Sequence, residues 1–212
     1  MRKSLIFLLL VSLMLVAAAC GGGDATSQPS GPQPTPPSSM GGDDALKKMA
    51  EEADANPSAA AYLKLGNAYA ERGLFTDAQA AYEKGLSINP NDPTILANLG
   101  VTLYQMGRFA EAQERFEKAL KLKPDDAATT YLLGATFLQM GDQQKAEAQF
   151  KKALTIDPQL PEAHFGLGTL YMLQGKKDQA IQEFETFLAG PPPQDPRAIT
   201  EAQRYLDQLK GQ

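Results

Sequence analysis

Every 34 residues, four times in succession, the chain repeats a small set of residue types at fixed positions, and a period of that length admits few architectures. Gly66, Gly100, Gly134 and Gly168 form one ladder, and Gly73, Gly107, Gly141 and Gly175 form a second, seven residues behind. In step with them run Leu65, Leu99, Leu133 and Leu167; Ala78, Ala112, Ala146 and Ala180; Tyr82, Phe116, Phe150 and Phe184; and Pro90, Pro124, Pro158 and Pro192. Apolar residues recur at helical spacing on both sides of the second glycine, so each unit reads as two short amphipathic helices joined by a tight turn. The second glycine falls where the first helix must stop, a place that favours a left-handed residue without Cβ. The first glycine lies inside that helix, where it costs about 1 kcal/mol against alanine. Close approach of the partner helix is the expected compensation, with the alanine ladder as the matching small surface. Pro90, Pro124 and Pro158 end the second helices, since proline lacks the donor and clashes with the preceding turn.

The fold class that follows is all-α: four stacked helical hairpins over residues 59–92, 93–126, 127–160 and 161–194. Ala45, Met49 and Ala53, followed by Asn56-Pro57, read as half of a further unit over residues 43–57. Ala202 and Tyr205 continue the ladders of Gly168 and Tyr171 into residues 195–212, with Ile199, Leu206 and Leu209 on the same helical face. Both segments read as caps, because the last unit of a stack otherwise leaves an apolar face in water.

The residues Leu65-Gly66, Tyr69, Gly73, Ala78, Tyr82 and Pro90, with three sets of counterparts, resemble the tetratricopeptide repeat over residues 59–192. The departures are local: Leu96, Thr130 and His164 stand where the family often has a large aromatic, and Gly85 replaces the alanine seen as Ala119 and Ala153. The resemblance implies an α-solenoid superhelix whose first helices line a concave groove that binds peptide segments of protein partners. On that frame the lining includes Leu63, Asn67, Val101, Tyr104, Tyr131, Leu138, Phe165 and Met172, a mostly apolar set suited to an apolar or amphipathic segment. Leu138, Phe165 and Met172 are equally open to a second reading, as core beneath neighbouring hairpins or the C-terminal helix. That helix, led in by Pro191-Pro192-Pro193, is also a candidate to occupy the groove itself. The family's carboxylate clamp is not expected. Asn67 and Asn98 fall on its asparagine positions, but Leu63, Ala128 and Leu132 replace its cations.

Arg2 and Lys3 precede a run from Leu5 to Ala19, apolar apart from Ser12, that ends in Ala17-Ala18-Ala19-Cys20, the pattern of a secretory signal. The run is shorter than the roughly 20 residues that span a bilayer. The small residues before Cys20 resemble the lipobox of bacterial lipoproteins, which implies cleavage there and a lipid on the cysteine. Residues 21–42 are rich in Gly, Ser, Pro and Gln and read as a disordered tether. Gly21, where aspartate would signal inner-membrane retention in some bacteria, favours an outer-membrane location facing the periplasm. Loss of Arg2 and Lys3 with the signal takes the net charge from -5 to -7, a poor match for nucleic acid.

No catalytic constellation is visible, and neither a metal nor a cofactor is expected. With one histidine and one cysteine in the chain, a Cys/His pair in the folded part is excluded. His164 sits where a hairpin packs between helices and reads as structural. Asn91-Asp92 and Asp125-Asp126 precede hairpins, where helix capping accounts for them. The function read from the sequence is a lipid-anchored, non-enzymatic scaffold of the bacterial envelope, serving pilus, secretin or outer-membrane assembly. The alternative is a recruiter of peptidoglycan enzymes that works through an acidic outer face.

Overall fold

The computed structural model describes residues 40–193 and 195–211; the signal, Cys20 and most of the tether lie outside them. The described residues form ten helices: α1 (Met40–Ala55), α2 (Ala59–Glu71), α3 (Phe75–Ile88), α4 (Pro93–Gln105), α5 (Phe109–Leu122), α6 (Ala127–Gln139), α7 (Gln143–Ile156), α8 (Pro161–Leu173), α9 (Lys177–Ala189) and α10 (Arg197–Lys210). The pairs α2/α3, α4/α5, α6/α7 and α8/α9 are antiparallel hairpins, and each second helix also packs on the first helix of the next pair. The first helices α2, α4, α6 and α8 touch one another in series as an inner layer, which makes the fold a solenoid of hairpins.

Local chemistry sets the helix boundaries. Ser58 accepts from the Ala61 N–H at 3.1 Å to cap α2, and Asp142 accepts from the Lys145 N–H at 3.1 Å to cap α7. Asp92 caps α4 through the Thr94 and Ile95 N–H groups, and Pro93 supplies a first helical residue whose missing donor has no partner to lose. The four turn glycines all have positive φ, between 69° and 81°. A side chain at Gly107 would meet nothing within 4 Å, so its φ of +73°, not lack of space, is what excludes Cβ there.

The glycines inside the first helices have a different reason, and it is not the expected alanine. A Cβ on Gly100 would lie 2.7 Å from the Phe116 ring, one on Gly134 2.7 Å from Phe150, and one on Gly168 2.8 Å from Phe184. In every hairpin the aromatic of the second helix therefore packs directly against backbone of the first. Tyr82, Phe116, Phe150 and Phe184 are at most 1% exposed, and burial of each such ring stabilises by about 1.5–3 kcal/mol. The alanine ladder is also fully buried, but the surface that presses on glycine is aromatic.

Both ends differ from expectation in phase. α1 starts at Met40, three residues before the expected cap, and it buries Leu46 and Ala53 while Ala45 is exposed. Ala53 joins Tyr62, Leu65 and Ala81 in a separate small cluster, with Met49 and Ala50 packed against it. α10 buries Ala198, Ala202, Leu206 and Leu209 against α9 and leaves Ile199 41% exposed.

Gly100→Ala is expected to destabilise by about 1–2 kcal/mol, because overpacking against an immobile ring outweighs the gain in helix propensity. Gly107→Ala should cost about 1 kcal/mol through backbone strain alone. Urea unfolding midpoints of the two variants would measure both, and a stabilised Gly100→Ala would refute the ring-on-backbone account.

Candidate functional site

Small side chains on facing inner helices open a hollow between α4 and α6. Thr94, Ala97, Asn98 and Val101 form one wall and Ala128, Thr129 and Leu132 the other, around a recess of about 430 Å³. Ala119, Lys123 and Asp126 close it towards the outer layer. Asp126 is held from three sides. One carboxylate oxygen accepts from the Thr129 N–H at 2.9 Å and the other from Lys123 Nζ at 2.6 Å, while its carbonyl accepts from the Thr130 hydroxyl at 2.8 Å. Burial pushes the Asp126 carboxyl up, yet the Lys123 and Thr129 hydrogen bonds prevail and hold it below the usual carboxylate value.

Beside the recess, three polar side chains fix one another. Asn67 Oδ1 accepts from the Tyr82 hydroxyl at 2.7 Å and from Asn98 Nδ2 at 2.9 Å. Burial raises the Tyr82 hydroxyl far above its ordinary pKa, although the Asn98 hydrogen bond opposes this, so the group stays a neutral donor. With its oxygen doubly engaged, Asn67 can turn only one way. Asn67 Nδ2 and Asn98 Oδ1 are left as a donor and an acceptor with no partner among the described residues. The sequence placed Asn67 in the groove lining and both asparagines on clamp positions, without pairing them to each other or to Tyr82. They lie 31 positions apart, not 34, which puts them one turn out of register and therefore face to face across α2 and α4.

Of the residues expected to line the groove, Val101 borders this recess. Asn67 flanks it, Leu63 is half-buried on α2, and Leu138 and Met172 are half-buried and pack against the core. The three aromatics are not offered to solvent, which corrects the expectation of an open aromatic groove. Tyr104 is 7% exposed, edge-on to Phe109 at 5.3 Å, and burial pushes its hydroxyl up to about 12. Tyr131 is stacked on Phe150 at 5.7 Å, and desolvation, followed by the nearby Tyr104 and Glu162, drives its pKa far upward. Phe165 meets Phe187 at 5.4 Å, Phe184 at 5.7 Å and Tyr205 of α10 at 6.3 Å, so the core reading holds for it. α10 closes the end of the stack at that point, and none of its residues borders the recess between α4 and α6.

The other singled-out residues serve structure. His164 Nδ1 lies 2.7 Å from Glu183 Oε2 and Nε2 lies 3.3 Å from the Pro158 carbonyl, joining α8 to α9. Asp92 and Asp126 cap helices. Among the described residues, no three His, Cys, Asp or Glu side chains gather as metal ligands. The outer helices are not uniformly acidic: α7 carries Lys145, Lys151 and Lys152 against Glu147 alone, whereas α9 carries Asp178, Glu183 and Glu185 against Lys177.

Three family models, described as tetratricopeptide repeat or TPR repeat, match residues 66–107, 92–159 and 137–200, and together they run unbroken from Gly66 to Thr200. The chain belongs to the tetratricopeptide repeat family. No curated protein matches it. Among solved structures, PilW, a widely conserved type IV pilus biogenesis factor, aligns with a TM-score of 0.70 at 23% identity, over 82% of this chain and 80% of its own. PilF of Pseudomonas aeruginosa aligns with a TM-score of 0.65 at 22% identity, over 81% of this chain and 82% of its own. MamA gives 0.64 at 24% identity, over 79% and 94% respectively. At these identities the likeness is one of fold.

Because Asp126 titrates below its usual value in the folded state, its contribution is present above about pH 4 and is lost as pH falls through the folded pKa. Thermal midpoints should hold between pH 7 and pH 5 and drop below about pH 4. Asp126→Ala should lower stability by about 1 kcal/mol at pH 7 and flatten part of that acid response. An unchanged acid profile in the variant would remove Asp126 from the account.

Proposed function

We propose that this tetratricopeptide repeat protein is a membrane-anchored scaffold of the bacterial cell envelope that holds an apolar or amphipathic segment of a partner protein in its concave groove. The observation that carries the reading is the recess between α4 and α6 with the oriented asparagine pair at its edge. The hollow accepts one large side chain, and the unpaired donor and acceptor match a main-chain carbonyl and N–H of an extended segment. The cation at the recess, Lys123, is already engaged by Asp126, so a C-terminal carboxylate is not the favoured ligand.

Anchoring rests on Cys20 and the apolar run before it, with the mature chain tethered at an outer-membrane surface facing the periplasm. A part in building a pilus or secretin complex is supported by the fold shared with PilW and PilF. The scaffold binds and positions its partner without covalent chemistry.

Two measurements test the reading. Ala97→Glu and Ala128→Glu fill the recess without removing core, so envelope pull-downs with wild-type bait should retain a pilus or secretin protein that both variants lose. Equal recovery by all three baits would take the recess out of the mechanism. Separately, Cys20→Ser should abolish labelling by radioactive palmitate and move the protein from the membrane to the soluble fraction. Persistent labelling would refute the anchor.

A further inference from the structure

On the side of the solenoid away from the recess, neighbouring second helices leave shallow furrows floored by the first helix between them. The furrow between α5 and α7 holds a hollow of about 350 Å³, with Leu133 and Phe137 of α6 as floor and Leu120 on one flank. Lys121, Lys145 and Lys152 surround it, and the lining contains a single carboxylate, Glu117. Lys145 is bonded to Asp142 at 2.7 Å and places its ammonium 5.2 Å from the centre of the Phe137 ring. Lys121 and Lys152 are exposed and have no carboxylate partner among the described residues.

The repeat supplies its own controls. One period earlier the positions of Lys121, Lys145 and Lys152 hold Ser87, Glu111 and Lys118, and one period later they hold Thr155, Gln179 and Thr186. The apolar floor is kept in all three furrows, as Leu99 and Leu103, Leu133 and Phe137, and Leu167 and Tyr171. Stack geometry therefore accounts for the floor but not for three cations in one furrow of a net acidic chain.

We infer that the furrow between α5 and α7 is a second docking surface, which takes a short acidic segment of a partner protein with one apolar anchor side chain. Its cations answer the acidic residues and its floor answers the anchor, which combines charge with desolvated contact. The flanks argue against a broad anionic surface such as a membrane or a nucleic acid. On α3 Asp77 and Glu83 outnumber Lys84, and on α9 Asp178, Glu183 and Glu185 outnumber Lys177, so the cationic character does not extend beyond the furrow. A segment lying along it meets the lysines without meeting those carboxylates. The site is independent of the concave recess and implies that the scaffold can join two partners at once.

The test uses the full mature chain and a fluorescein-labelled octapeptide of Asp and Glu residues around a central Leu-Phe pair, followed by fluorescence anisotropy. Wild type should bind, and Lys121→Glu/Lys152→Glu should weaken binding about tenfold or more, as should raising salt from about 50 to 300 mM. Both positions are exposed, and circular dichroism checks that the double variant keeps its fold. Ala97→Glu should leave this binding unchanged, which separates the outcome from that of the concave groove. Equal binding by the double variant overturns the proposal, as does equal binding of a peptide in which Ser-Ser replaces Leu-Phe. Binding of phosphatidylglycerol vesicles but not of the peptide, lost in the same double variant, assigns the furrow to a membrane and overturns the assignment to a protein segment.

Discussion

An aromatic ring pressed against bare helical backbone sets the spacing between the two helices of every hairpin, and the rest of the stack takes its dimensions from that contact. The ring fits because glycine removes the Cβ that would otherwise stand 2.7 to 2.8 Å from it at Gly100, Gly134 and Gly168. The helix gives up about 1 kcal/mol of propensity at each such glycine and recovers more through the buried ring. Phe150 extends the principle between hairpins, since a Cβ on Gly166 of α8 would come within 3.0 Å of the same ring. One side chain thus positions α6, α7 and α8 together. The hollow between α4 and α6 is left open by small side chains on the two facing helices, Ala97 and Ala128 among them.

How much of this was legible depended on whether a feature repeats. Turn glycines, capping aspartates and the hairpin limits recur with the period, and each has a local cause that a linear pattern carries. The aromatic groove did not survive because α6 and α8 are apolar almost all round. Tyr131, Thr136 and Phe137 are buried on one, and Phe165, Leu167 and Leu170 on the other. Helical phase says that such a residue is on a face, but a helix packed on both sides has no free apolar face to assign. The recess was legible in part: Val101, expected in the groove lining, borders it, but the hollow itself depends on which small side chains face one another across α4 and α6, and a linear pattern does not carry that pairing. The Asn67–Asn98 pair was visible but misfiled, since its meaning lies in the third partner, Tyr82, whose hydroxyl comes from a ladder read only as packing.

Charge follows a different logic from packing along the same frame. Apolar positions are copied from unit to unit because every unit must stack, whereas the exposed positions are free to differ. They do differ, from the lysines of α7 to the carboxylates of α9. A solenoid of this kind is a uniform rod in its core and a sequence of distinct addresses on its surface. Two faces of the α4–α7 segment carry separate features, a neutral polar hollow inside and a cationic furrow outside, joined by the buried faces of α5 and α6.

The two apolar clusters are unequal, and the smaller one sits at the N-terminal end. Ala53, Tyr62, Leu65 and Ala81 form it with Met49 and Ala50, and Tyr69 is the side chain that touches both it and the continuous core running from Ala70 to Leu209. Polar links help it: Asp54 accepts from the Tyr62 hydroxyl and from Lys84 Nζ, both at 2.8 Å. In a linear stack, free energy is stored unit by unit, so tension applied through the N-terminus works first on this shallow reservoir. On that reasoning α1 is expected to give way before the hairpins of the main core, leaving the recess and the furrow in place. The first helix is in that sense a yielding link, placed between the chain that leads into the solenoid and the surfaces the solenoid presents.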